Sequence, residues 1–166
     1  MNQHFLEKVQ IASGFVPVDL QTGANAGDWV NMENYGRCAV VFFAAVGTAG
    51  DDPTLTLLQA TDVAGTGSKA VTFTRVDHKQ GADLEAVGQF TEVSQTAANT
   101  YTDATSAEIL KIWVVDIMAE DLDIDGGFSC LNAAVADVGL NAQLGCMLYM
   151  LHDPRIVTAA LPSAIA

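Results

Sequence analysis

Nine short apolar runs, each closed by turn residues, constrain this chain most. They cover residues 15–20, 28–31, 38–45, 54–60, 70–77, 89–95, 112–118, 128–135 and 144–151. Glycine, asparagine, aspartate and proline fill the gaps, notably at 23–27, 34–36, 47–53, 65–67, 125–127 and 137–141. β-Branched and aromatic runs at that spacing describe strands joined by tight connections. The expected fold class is therefore all-β: a single antiparallel β-sandwich or jelly-roll-like domain over residues 11–157. One stretch, 105–111, invites a helix, with Thr105 or Ser106 as N-cap and Glu108 in the first turn. It runs straight into the β-branched segment at Ile112, so a single turn is the most it should form.

The runs differ in how many of their faces are apolar. Thr54-Leu55-Thr56-Leu57 alternates, so its leucines should point inward and its threonines outward. Thr91-Glu92-Val93-Ser94 also has one polar face. The segments Ala39–Ala44, Ile112–Val115 and Met147–Leu151 are apolar on both faces. In an antiparallel domain such strands call for a second layer or a neighbouring subunit over each side. A homo-oligomer is the expectation, with Phe42, Phe43, Trp113, Tyr149 and Met150 as candidate contact residues, since large aromatics and methionine concentrate at interface centres. The two ends fit no strand. Residues 1–10 and 158–166 read as N- and C-terminal arms that order on a partner, the second anchored by Leu161, Pro162 and Ile165.

Charge narrows the partners. Among the 166 residues, 20 acidic and 7 basic side chains leave a formal net charge of -13. A body this negative, without a basic stripe, repels phosphate backbones, so no nucleic-acid partner is expected. Half of the residues are hydrophobic, which argues against a disordered tail. The longest uncharged stretch, near 138–152, is interrupted by Gly139, Asn141, Gln143 and Gly145 and falls short of the roughly 20 apolar residues a bilayer span needs. No membrane partner or signal peptide is expected. Cys38, Cys130 and Cys146 fit no CxxC spacing and read as free buried thiols in a protein made in a reducing compartment.

Motifs for chemistry are sparse. Asp121, Asp123 and Asp125, followed by Gly126, match the opening of a calcium loop, but position 12 is Asn132, which cannot bind bidentately. An acidic hairpin turn is the stronger reading, and a calcium-dependent binding module the weaker one. His4, His78 and His152 stand apart from one another and from cysteine, without transition-metal spacing. The glycine clusters at 47–52 and 64–69 lack phosphate-loop spacing and lead into strands. Ser13, Ser129 and Ser163 lie outside any nucleophile-elbow context. No cofactor, catalytic residue or enzymatic activity is expected.

Three segments resemble a known group: GFVPVDLQTGANAGDWVNMENYGR, GTAGDDPTLTLLQATDVAGTGSKAVTFTRVD, and WVVDIMAEDLDIDGGFSCLNAAVADVGLNAQLGCMLYMLHDPR with the closing ALPSAIA. The chain resembles small structural proteins from the head-gene region of tailed bacteriophages, most of all the auxiliary capsid proteins of decoration or cement type. The resemblance implies a β-rich homo-oligomer, a trimer favoured. It would be made in the host bacterial cytoplasm and placed on the capsid exterior of the virion, where it binds the major capsid protein of the same phage. Other virion parts, a tail-tube or head-completion protein, share the same β-rich texture.

Overall fold

A computed structural model describes residues 4–105, 108–156 and 160–165. Residues 1–3 of the N-terminal arm, 106–107 of the one-turn helix candidate, and 157–159 and 166 around the C-terminal arm lie outside the described residues. The fold is an all-β antiparallel sandwich of two sheets.

Twelve strands follow in chain order: β1 (Gln10–Asp19), β2 (Asn25–Ala26), β3 (Val30–Asn31), β4 (Tyr35–Ala44), β5 (Thr54–Ala60), β6 (Lys69–Ala70), β7 (Phe73–Gly81), β8 (Thr91–Ala98), β9 (Thr100–Thr102), β10 (Leu110–Met118), β11 (Cys130–Val135) and β12 (Leu144–Pro154). The larger sheet has the order β1-β12-β4-β10-β7-β8. The smaller runs β2-β11-β5-β6, with β3 also pairing β11 and β9 pairing β5. All pairings are antiparallel. Four 3-10 turns, Phe5–Glu7, Leu20–Thr22, Leu84–Ala86 and Ala119–Asp121, are the helical pieces among the described residues.

Alternation decides which side chains fill the space between the sheets. Leu55 and Leu57 of β5 point inward with Leu131, Ala133 and Val135 of β11, and the threonines of β5 face out, as their period-2 pattern requires. Opposite them, β4 contributes Val40 and Phe42, β10 contributes Trp113 and Val115, and β12 contributes Met147, Tyr149 and Leu151. The Tyr149 hydroxyl crosses the sandwich and accepts from the Ala133 N–H at 2.8 Å. It also crowds Gly27, where an added Cβ would lie 2.6 Å from that hydroxyl and 2.5 Å from the Ala133 carbonyl. The sheets thus approach too closely at this point for any side chain.

Three features depart from the sequence reading. Residues 70–77, expected as one strand, divide: β6 pairs with β5 in the smaller sheet, and β7 crosses to the larger. Buried Val71, whose N–H donates to the Leu57 carbonyl, marks the crossing, and nothing in the local apolar pattern distinguishes it from strand interior. The short strands β2 and β9 arise inside stretches that look like connections. The described part of the C-terminal arm makes contacts with its own domain. Ala164 is buried, its carbonyl accepts from the Asn31 N–H at 2.6 Å, and the Pro162 carbonyl accepts from the Tyr35 hydroxyl. Leu161 packs against the core edge, while Ile165 stays exposed. At the other end, strand β1 begins at Gln10, so the last residue of the proposed N-terminal arm belongs to the sheet.

The C-terminal contacts predict a stability effect. Removing residues 160–166 strips acceptors from the Tyr35 hydroxyl and the Asn31 N–H. With water able to enter the vacated site, the loss should be about 2 kcal/mol. For a domain of this size that is a fall in Tm of roughly 4–8 °C. Differential scanning calorimetry of the truncated and full chains measures it directly, with β-type circular dichroism retained.

Candidate assembly surface

The two strand faces of the larger sheet have different fates. Because successive residues alternate, burying Val40, Phe42, Trp113 and Tyr149 forces their neighbours outward. The correction to the expected contact set follows from this parity. Phe42, Trp113 and Tyr149 are wholly buried inside the chain, beyond reach of any partner. Phe43 and Met150 are on the outer face, Phe43 exposed and Met150 half-buried. Exposed Leu148 and Ile11, both absent from the expected set, join them there. The intra-strand parity that separates Phe42 from Phe43 is legible in the sequence, and it could have selected Leu148 along with Met150.

Register assembles the outward residues into rows. Ile11 pairs Met150, which pairs Ala39. In the next row Leu148 pairs Val41, which pairs Val114. In the third, Cys146 pairs Phe43, which pairs Ile112. The result is an apolar field centred on β12 and β4, joined by Ile11 of β1 and by Val114 and Ile112 of β10, with Leu144 extending it along β12, while Ser13 of β1 stands beside Leu148 and Asp116 of β10 beside Ala39. The outer side of the smaller sheet is different in kind, presenting Thr54, Thr56, Thr100 and Thr102, with Thr54 and Thr102 hydroxyls 2.7 Å apart. One outer face is suited to water and the other to a covering layer.

One charge enters the face, since Asp116 of β10 pairs Ala39 and closes the first row, and the other charges border the field. At one end Arg37 Nη2 lies 2.6 Å from Asp116 Oδ2, and the other Asp116 oxygen is 3.3 Å from His152 Nε2. The hydrogen bond and attraction of Asp116 push the Arg37 guanidinium above its already high ordinary pKa. Beyond β10, Arg75 bridges Asp77 at 2.7 Å and Glu92 at 3.0 Å. Exposed pairs of this sort contribute little stability. Their effect here is to leave the rim close to neutral beside a strongly acidic body.

The acidic turn does not form a cation cage. Asp121 uses Oδ2 to accept from the Met118 N–H at 2.9 Å, capping the turn that leaves β10. Asp123 accepts from the Gly126 N–H at 3.0 Å and pairs with Lys69. Lys69, then the Gly126 N–H, hold the Asp123 carboxyl below the usual carboxylate range. Lys69 also lies 4.0 Å over the Phe128 ring. Among the described residues no three histidine, cysteine or acidic side chains converge on a common point, so Asp121, Asp123 and Asp125 are not brought together as the calcium-loop pattern required. A cation would have to displace Lys69. Adding 1 mM calcium is therefore expected to stabilise by at most about 0.4 kcal/mol, as for a site of millimolar affinity, and to raise Tm by no more than roughly 2 °C. A thermal melt with calcium and with chelator checks this.

The surface carries several pockets, among them one of about 350 Å³ lined by Phe73, Arg75, Asp116 and Met118. Another of about 110 Å³ lies between Met32, Leu122, Ile124 and Phe128 at one end of the sandwich, with Glu33 and Arg155 at its edge. Cys38 and Cys130 are buried and Cys146 half-buried, and burial pushes all three thiols up, away from the reactive thiolate. No helix among the described residues is long and apolar enough to cross a membrane. Compared with models of protein families and with curated proteins, the chain matches none.

Proposed function

We propose that this protein is a non-enzymatic structural component of a tailed-bacteriophage virion, a decoration or cement protein that binds and stabilises the outside of the capsid lattice. The observation that carries the reading is the apolar outer face of the larger sheet. A β-sandwich that buries a full core between its sheets and still presents an apolar sheet face outward is built to be covered by another protein surface. The resemblance of its sequence segments to auxiliary capsid proteins supplies the setting. The net charge of -13 suits a protein that must ignore the packaged genome. Such a role requires contact area and rigidity rather than a catalytic group.

Immunogold labelling of purified virions, with quantitative mass spectrometry of copy number, tests the proposal. Label over the head at hundreds of copies per particle is the expected result. Label confined to the tail, in hexameric multiples, would make the chain a tail-tube component. Absence from the particle would overturn the virion reading altogether.

A further inference from the structure

We propose that the chain cuts itself at the peptide bond between Asp153 and Pro154, with the Asp153 carboxyl as the nucleophile. The inference goes beyond the capsid reading and rests on backbone conformation, register and exposure at the end of β12.

Asp153 is the one non-glycine residue with a left-handed backbone among the described residues, at φ 54°. It sits inside a ladder that keeps its register on both sides, since His152 pairs Arg37 and Pro154 pairs Tyr35. An antiparallel strand residue ordinarily has φ of about −140°. A left-handed residue in that place is opposed by its own Cβ, and the following proline favours extended backbone at the position before it. Such strain persists only where the surroundings hold both ends. Here the ladder holds the near end. On the far side the Arg155 N–H donates to the Asn34 carbonyl at 2.9 Å, and the Ala164 carbonyl accepts from the Asn31 N–H at 2.6 Å. Breaking the bond after Asp153 releases the strain, and these contacts keep the severed segment on the domain.

The scissile residue is also open. Opposite it in the ladder stands Gly36, where an added Cβ would lie 3.1 Å from the Asp153 Cβ and 3.3 Å from its carbonyl oxygen. Without one, Gly36 and Asp153 border a hollow of about 290 Å³, lined also by Arg37, Glu120 and Arg155. The Asp153 side chain is 67% exposed, so rotation about its first torsion brings a carboxyl oxygen onto its own carbonyl carbon without displacing a packed neighbour. His152 Nδ1 lies 3.6 Å from Asp153 Oδ2. The charged groups around this carboxyl are thus His152 on its own strand, Arg37 on β4, Glu120 after β10, and Arg155 just past the proline.

The chemistry is intramolecular until its last step. A carboxyl oxygen of Asp153 adds to the residue's own main-chain carbonyl carbon and closes a five-membered ring. The arginines at the hollow offer positive charge to the oxygen that becomes negative in this addition. The carbon–nitrogen bond to Pro154 then breaks, its electron pair stays on the proline nitrogen, and that nitrogen takes up the proton of the carboxyl group. Asp153 is left as a cyclic anhydride, which one water molecule opens to two carboxyl groups. The cut is a single event on the chain itself, without turnover.

The experiment incubates purified full chain without protease at pH 5 and pH 7, folded and in urea, and follows it by mass spectrometry under denaturing conditions. Two products, residues 1–153 and 154–166, should form, their masses adding up to the intact chain plus one water. Folded chain should cut about tenfold faster than urea-unfolded chain at the same pH, because only the fold holds the strain. Cutting should be faster at pH 5, since the acid form brings the proton that ends on proline. Asp153→Gly, which tolerates the left-handed backbone and lacks the nucleophile, should stay whole. If that variant does not fold, the comparison with urea uses wild type alone and still decides. A folded chain that stays intact overturns the proposal. Equal rates with and without urea overturn it as well, because the cut would then be the ordinary lability of any Asp–Pro sequence. A rate no higher at pH 5 than at pH 7, or a cut that persists in Asp153→Gly, overturns the carboxyl's role.

Discussion

Replacing Trp113 by alanine should remove a large share of the stability of this domain. The indole is wholly buried at the middle of β10. Its ring lies 5.4 Å from Phe42 and 4.9 Å edge-on to Tyr101, so it ties the larger sheet to the strand β9 that closes the sandwich. Truncation to alanine in such a site costs about 3–5 kcal/mol, from lost transfer energy and the cavity left behind. A polar cost adds to it. Trp113 Nε1–H donates to Gln80 Oε1 at 2.7 Å, and Gln80 Nε2 donates to Asp103 Oδ2 at 2.7 Å. Removing the indole strands the Gln80 oxygen, a further loss of about 1 kcal/mol or more. Against a total stability of roughly 5–15 kcal/mol, Tm should fall by about 10–20 °C. Trp113→Phe separates the two parts, because it keeps most of the packing and loses only the donor, and should cost about 1–3 kcal/mol. Urea unfolding of both variants at neutral pH measures the difference. Equal losses would mean that the hydrogen-bond chain, not the packing, dominates at this position.

That polar chain shows where sequence reading succeeds and where it stops. The identity of β4, β5, β10 and β12 as strands was legible because each is a run of β-branched and aromatic residues bounded by turn chemistry. β5 coincides with its expected bounds, 54–60. What the runs do not contain is their partners. Gln80 and Asp103 look like solvent-facing residues at strand ends, and only the pairing of β7 with β10 brings Gln80 beneath Trp113. Similarly, the break between β6 and β7 depends on which sheet has room for the chain, a long-range packing fact with no local signature.

The candidate surface was legible in part and for a reason that also explains the error. Two-faced apolar patterns marked β4, β10 and β12, and each of these strands has apolar residues on its outer as well as its inner face. Choosing contact residues by size alone then favoured Phe42, Trp113 and Tyr149, which the inner layer consumes. Size selects for cores as strongly as for interfaces. Parity along each strand, anchored by the certain inward placement of one residue, is the sharper criterion. The C-terminal segment adds a contact with no local signature: Ala164 is small enough to fit beside β3, where its carbonyl accepts from the Asn31 N–H.

Lys111 should reverse the usual expectation that removing a charge from a protein weakens it. It lies wholly buried at the start of β10, beneath the end of β4, where Nζ donates to the Ala45 carbonyl at 3.2 Å. Gln143 Nε2 donates to the same oxygen at 3.0 Å. Desolvation lowers the lysine from 10.5 to about 8, and the charges of Asp52, Asp103 and Glu108 offset only part of that. A displacement of this size corresponds to about 3 kcal/mol of stability. Below pH 8 both folded and unfolded chains hold the proton, so the native state bears the whole desolvation cost. Between about 8 and 10.5 the unfolded chain holds more protons than the folded one, and stability rises with pH. Cys38 and Tyr149 act oppositely, because burial raises both in the folded state, so their stabilisation is lost as the unfolded chain ionises above pH 9–10. Lys111→Met keeps the length of the side chain and leaves the Ala45 carbonyl bonded to Gln143. The variant should therefore be more stable than wild type at pH 7, by up to about 3 kcal/mol, and the gap should close as pH approaches 10. Taking the difference between the two urea-unfolding series at pH 7, 8, 9 and 10 cancels the thiol and phenol contributions common to both. A variant less stable than wild type at pH 7 would show that attraction to Asp52, Asp103 and Glu108 outweighs the cost of burying the ammonium.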